Sequence, residues 1–284
     1  MKNFPLAIFI FFLLCLNSCF LCKKAFRSTS KLRFKSKTKS QQNICLLTVA
    51  RHAFLSSLKI AAKDKGSNNC WVCAPNGANN VKFYKFGGLS AAIKGTAPTS
   101  CDMMAANTNT ELYVVSAKKL YFLSKNAADL KSYTWNEVTG ATNVVDVTVD
   151  NNNLTYYINS AGAIFKVNGL RAGDKYSDAT YGADCRLEAK YASEDGFYLI
   201  KNDKSLYNVD NKGVATLISD IGVDDLCTDL AAGVYLAGFD GIYLMKSSVK
   251  MPVKVTSDLA SSISCASFLW FIGADGFVYQ GTRK

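Results

Sequence analysis

Apolar and polar positions alternate along most of this chain in short runs, and one phrase of that alternation returns six times. An apolar residue followed by an aromatic one recurs at Phe83-Tyr84, Leu120-Tyr121, Ile164-Phe165, Leu206-Tyr207, Ile242-Tyr243 and Val278-Tyr279, in steps of 36 to 44 residues. A period of roughly 35–45 residues is the signature of a propeller or solenoid. The clearest copies place the pair just after a tight turn and a preceding apolar run. In the third, Leu154-Thr-Tyr-Tyr-Ile158 leads through Asn159-Ser-Ala-Gly162 to Ala163-Ile-Phe-Lys-Val167; in the sixth, Leu269-Trp-Phe-Ile272 leads through Gly273-Ala-Asp-Gly276 to Phe277-Val-Tyr279. Short runs rich in Val, Ile, Tyr and Phe, bounded by Asn, Asp and Gly, predict β-hairpins.

A further apolar run precedes each hairpin, at Leu58–Ala62, Cys101–Ala105, Val144–Val149, Cys185–Ala189, Leu226–Leu230 and Ile263–Phe268, and a weaker fourth follows some of them, as at Val214–Ile218 and Pro252–Val255. Six copies of three or four short antiparallel strands, with no strong helical period inside them, predict an all-β chain folded as a six-bladed β-propeller. A sandwich of evenly spaced strands would not need a repeated dipeptide in phase with a repeated turn. The sixth copy ends its third strand close to Lys284, so its outer edge needs a partner. Ile44–Ala50 has strand composition and is expected to pair antiparallel with the last strand.

One copy also carries a family likeness. Trp135-Asn-Glu-Val138-Thr-Gly140, then Val144–Val149, Tyr156-Tyr-Ile-Asn-Ser-Ala-Gly162 and Ile164-Phe-Lys166, resembles a tectonin repeat. The other copies keep the turn and the apolar–aromatic pair but not the Trp, and the resemblance spans about residues 58–284. It implies a six-bladed propeller and, because several tectonin-family proteins are lectins, recognition of glycan or lipopolysaccharide. A fold hosts many functions, so that expectation belongs to the resemblance alone.

The chain carries a net +11, but residues 1–40 hold nine Lys or Arg and no acid, leaving +2 for the rest. A near-neutral repeat domain lacks the basic face of a nucleic-acid binder. Residues 1–22 read as a signal peptide: Lys2, the apolar run Phe4–Leu16, then small polar residues, too short to span a bilayer comfortably. Leu16-Asn-Ser-Cys19 also resembles a bacterial lipoprotein signal, which would anchor the chain to lipid through Cys19. Residues 23–43 form a basic, Ser-rich block expected to be disordered or a removable pro-segment, and 44–284 form the propeller. The expected localisation is secreted, without a transmembrane helix.

Candidate chemistry is thin. Cys101, Cys185, Cys227 and Cys265 share a phase at the first strand of their copies and read as small core residues near the propeller axis. Cys70-Trp-Val-Cys73 lacks the second pair of a zinc site, so in an oxidising compartment Cys70 and Cys73 are disulfide candidates, with Cys45 as a partner. His52 is the only histidine, which leaves Ser-His-Asp and Cys-His arrangements unsupported. No phosphate loop or dinucleotide fingerprint is present. Glu194-Asp195 and Asp224-Asp225 read as turn-forming or solvated charges, and Trp71, Trp135 and Trp270 as packing. Asn153-Leu-Thr155 is a glycosylation acceptor. The expectation is a non-enzyme without cofactor or metal, whose partner is glycan, lipopolysaccharide or an extracellular protein; the rival is a structural or protein-interaction propeller.

Overall fold

The computed structural model describes residues 29–31, 47–52, 59–61, 70–73, 81–85, 88–89, 98, 100–108, 111–125, 133–190, 196–229, 233–246, 249–266 and 268–283. Among them there are strands and turns and no helix. The expected signal peptide, Cys45 and most of the basic block lie outside the described residues.

After β1 (Thr29–Lys31) and β2 (Leu47–His52) the chain runs in antiparallel meanders. The first comprises β3 (Lys59–Ala61), β4 (Cys70–Cys73), β5 (Val81–Lys85) and β6 (Gly88–Leu89). The second comprises β7 (Met103–Thr108), β8 (Glu111–Ser116), β9 (Lys119–Lys125) and β10 (Tyr133–Thr142). The third comprises β11 (Val144–Val149), β12 (Thr155–Asn159), β13 (Ile164–Asn168) and β14 (Arg171–Lys175). The fourth has β15 (Arg186–Ala189), β16 (Phe197–Ile200), β17 (Leu206–Val209) and β18 (Ala215–Ser219). The fifth has β19 (Val223–Thr228), β20 (Gly233–Gly238), β21 (Gly241–Lys246) and β22 (Val249–Thr256), and the chain ends on β23 (Ala260–Cys265), β24 (Leu269–Gly273) and β25 (Val278–Arg283). One parallel contact, Thr139 opposite Arg171, joins the second and third meanders into an eight-stranded sheet.

The last sheet is closed by the other end of the chain. β2 pairs antiparallel with β25, from Leu47 opposite Arg283 to His52 opposite Val278. The expected closure is present over Leu47–His52, and residues 44–46 lie outside the described residues. β1 then pairs outside β2, which corrects the expectation of disorder for Thr29–Lys31. The correction has a plain cause: the outward N–H and C=O groups of β2 need partners, and β1 supplies them.

Turn chemistry explains why the repeats break where they do. Asp150 Oδ1 accepts the N–H groups of Asn152 and Leu154 at 2.8 Å each, and Asp210 Oδ1 accepts those of Lys212 and Val214 at 2.9 and 2.8 Å. Asn159 does the same for Ala161 and Ala163. These are Asx turns, in which a short polar side chain replaces the missing strand partner. At Gly162 the backbone has φ +80°, and a Cβ would lie 2.3 Å from the Gly182 carbonyl oxygen, so glycine is required.

The repeated dipeptide divides its work. Its apolar members Leu120, Ile164, Leu206, Ile242 and Val278 are buried between sheets. In four copies the aromatic member stands opposite a large residue of the preceding strand, Phe165 on Tyr157, Tyr207 on Leu199, Tyr243 on Leu236 and Tyr279 on Phe271. The Phe165–Tyr157 and Tyr279–Phe271 rings are stacked, with centroids 5.2 and 5.0 Å apart. Tyr243 and Tyr279 also donate their hydroxyls to Asp240 (2.5 Å) and Asp275 (2.7 Å) in the preceding turn. In the last two copies one ring both packs a strand and pins a turn.

Candidate functional site, a polar-lined central channel

The first strands β3, β7, β11, β15, β19 and β23 each lie against the next, and β23 lies against β3, so they close a ring. Inside it is a cavity of about 70 Å³, lined by residues of all of them. One side is apolar, with Ile60, Met103, Met104 and Ala106; the other carries Asp146, Thr148, Arg186, Glu188, Asp225, Thr228, Ser262 and Ser264.

The polar side is a repeated bonding pattern. A first strand turns its free edge to its neighbour and leaves N–H groups unpaired. Asp146 Oδ2 accepts the N–H of Leu187 at 2.9 Å, and Asp225 Oδ2 accepts that of Ile263 at 2.9 Å. Two residues further, Thr148 Oγ1 accepts Ala189 N–H at 2.9 Å and Glu188 Oε1 accepts Thr228 N–H at 3.1 Å. Side chains of one strand therefore satisfy the backbone of the next. Between the two aspartates, Arg186 donates from Nε to Asp146 Oδ2 at 3.0 Å and from Nη2 to Asp225 Oδ1 at 2.7 Å.

A local irregularity aims these carboxylates. β11, β19 and β23 each carry a bulge, at Val144/Asp146, Val223/Asp225 and Ala260/Ser262. The extra residue re-aims the next side chain. Asp225 is thereby 5% exposed, while its neighbour Asp224 faces out and bridges to Lys204 at 2.7 Å. The reading of Asp224-Asp225 as solvated turn charges is corrected for Asp225; Glu194-Asp195 lie outside the described residues. Burial pushes the Asp146 carboxyl above its ordinary range, opposed by Arg186 and by the N–H groups of Leu187 and Val147. Burial disfavours the charge of Arg186, but Asp225 and Asp146 outweigh it and hold the guanidinium firmly protonated.

Chemically this is a scaffold of engaged acceptors. Asp146 and Asp225 each bind two backbone N–H groups besides Arg186, and Glu188 holds the hydroxyls of Thr148 and Thr228. Among the described residues no group of three His, Cys, Asp or Glu side chains is placed to hold a metal ion. His52 sits on β2, the strand outside β25 and away from the ring. The sequence reading missed Asp146, Arg186 and Asp225, although their spacing of 40 and 39 residues carries the same period as the dipeptide.

The cysteines need two corrections. Cys227 and Cys265 are not merely small core residues: they form a disulfide between the first strands β19 and β23, with Cα atoms 5.5 Å apart. The expected bridges of the CxxC are not those found. Cys70 is an unbridged thiol, buried against Trp270, Ile272 and Val278, whereas Cys73 packs with Leu112 on the other face of β4. Strand alternation sends positions three apart to opposite faces, so these two cannot join each other. Burial raises the Cys70 thiol far above its ordinary range. Cys185 is core as expected, its thiol against the Tyr181 carbonyl at 3.4 Å. Trp71 and Trp270 are buried, and Trp135 packs half-buried beside Tyr133. Asn153 is exposed in the β11–β12 turn.

Replacing Cys227 and Cys265 together by Ser is expected to cost about 4 kcal/mol, from the loop entropy of the 38-residue separation. Thermal or urea melts of variant and parent give the difference, and peptide mapping without reductant should recover the Cys227–Cys265 link. A parent free of that link would refute the pairing.

No family model and no curated protein matches the chain. Solved structures do. A catalytically inactive His-to-Ala variant of virginiamycin B lyase from Staphylococcus aureus, with quinupristin, aligns at TM-score 0.55 and 10% identity, over 90% of this chain and 99% of that one. Selenomethionine-substituted virginiamycin B lyase from Staphylococcus aureus aligns at TM-score 0.50 and 11% identity, over 83% and 98%. The WD40 β-propeller domain of Doa1 aligns at TM-score 0.52 and 11% identity, over 81% and 93%. Sheets arranged this way over nearly the whole of those chains make this an all-β protein with the β-propeller fold.

Proposed function

We propose that this chain is a secreted, non-catalytic recognition protein, a six-bladed tectonin-like propeller that binds glycan or lipopolysaccharide surfaces. Each meander is one blade, and β23–β25 with β2 form the last. The observation that carries the non-catalytic part is the channel: its carboxylates are spent on backbone N–H groups and on Arg186. The lyase it resembles in fold loses activity when a His is replaced. Here the sole His stands on an outer strand, which argues against the same chemistry. The Cys227–Cys265 disulfide favours an oxidising, extracellular compartment. Asn153, exposed in its turn, is placed to accept a glycan in a eukaryotic host. No described helix is long and apolar enough to cross a membrane.

Glycan-array and lipopolysaccharide binding by the purified protein tests the reading, with specific, saturable signal expected. A blank array together with recovery of a stable extracellular protein partner would replace it with the docking-disc alternative.

A further inference from the structure

We propose that the outer rim of the third to fifth blades is a docking surface for an anionic lipid bilayer. At the corner between its third and fourth strands, or on the fourth strand just past it, each of these blades presents a large apolar residue to solvent. They are Leu170 at 41% exposed, Val214 at 57% and Met251 at 75%. On the adjoining outer strands Leu217 and Val253 are also exposed. Each of these blades also carries an exposed cation next to that corner: Arg171, Lys212 and Lys246. None of the three is bridged to a carboxylate among the described residues, unlike Lys204 and Lys254 on the same blades.

These corners are equivalent places on one ring. The bonds from Asp146 to Leu187 and from Thr148 to Ala189 step together, so β11 and β15 run the same way. Arg186 to Asp225 and Glu188 to Thr228 step likewise for β15 and β19. The apolar and cationic residues therefore recur around the rim, and β18 and β22, the fourth strands of adjoining blades, lie side by side.

The arrangement selects a bilayer over a protein partner. Isolated apolar knobs spread over three blades do not form the groove that a peptide or helix fills. Strand addition to β22 is discouraged by Pro252, which offers no N–H, and by the lysines of that strand. A membrane interface accepts separate apolar side chains without shape complementarity, and exposed cations next to them complement anionic headgroups. The surface is distinct from glycan recognition and does not depend on it.

Sedimentation of the full chain with vesicles tests this. Binding is expected with phosphatidylcholine vesicles containing about one third phosphatidylglycerol, and not with phosphatidylcholine alone. The Arg171→Gln, Lys212→Gln, Lys246→Gln variant should lose about a hundredfold in partitioning, near fivefold per cation. Leu170→Ser, Val214→Ser, Met251→Ser should lose at least tenfold, while Phe239→Ser, an exposed residue of the β20–β21 turn, should change nothing. Melting temperatures of all variants should match the parent, since the positions are exposed. Equal binding to both vesicle types, no binding to either, or full binding by either triple variant overturns the proposal. Vesicle binding by a protein blank on the glycan array would sink the recognition reading and leave this one standing; the opposite pair of results would do the reverse.

Discussion

Deleting Leu47–His52 is expected to lower the melting temperature by roughly 10–20 °C, as much as deleting residues 277–283. All six residues of β2 pair with β25, and β25 in turn covers β24, whose Trp270, Phe271 and Ile272 are among the most buried side chains. Losing about six backbone bonds at about 1 kcal/mol net each gives a cost on the order of 5 kcal/mol. For a chain of this size each kcal/mol moves the midpoint by about 2–4 °C. Differential scanning calorimetry of the two truncations and the parent measures it. A truncation at 52 that melts with the parent would show that the last blade does not need its borrowed strand.

The second large effect is expected at the ring. Asp225→Ala should destabilise by about 3–5 kcal/mol, the usual cost of removing one partner from a buried ion pair. The variant strands Arg186 on one side and leaves the N–H groups of Leu226 and Ile263 without their acceptor. Asp224→Ala, one residue earlier, removes only a surface bridge to Lys204 and should cost under about 1 kcal/mol. The contrast between adjacent aspartates is the measurement, made by urea melts. Similar losses at both positions would mean that the bulge does not divide their roles. Asp225→Ala combined with Arg186→Met should cost less than the sum of the single changes, because each single change already breaks the Arg186–Asp225 pair; Asp146 then keeps only the N–H groups of Val147 and Leu187.

The sequence made the repeat legible because the apolar member of its pair is buried in five copies and the aromatic member stands opposite a large residue in four. It also made the borrowed strand legible, since Leu47–Ala50 had strand composition and an uncovered edge stood at the other end. What it hid were features decided by one residue of geometry. The strands β19 and β23 begin at Val223 and Ala260, three residues before the apolar runs at Leu226 and Ile263. Asp225 and Ser262 in these openings are polar and line the channel, and a bulge separates inward Asp225 from outward Asp224. No periodicity reports a bulge. The disulfide was hidden for a related reason: Cys101, Cys185, Cys227 and Cys265 share a phase, but only the spatial approach of β19 and β23 selects one pair. The strand at Thr29–Lys31 lay in a stretch whose composition is that of a solvated tail, and its pairing with β2 overrides composition.

The hydrogen bonds between β2 and β25 give the fold an unusual freedom of order. With Leu47 opposite Arg283, the two chain segments end side by side on one sheet. A short connector from 283 back to 47 would make the backbone a closed loop that keeps the β2–β25 pairing and gives up only β1. The opening could then be moved to a polar two-residue turn such as Asn202–Asp203. In such a permuted chain the last blade would be built from contiguous sequence, and the seam would pass to another member of the circle.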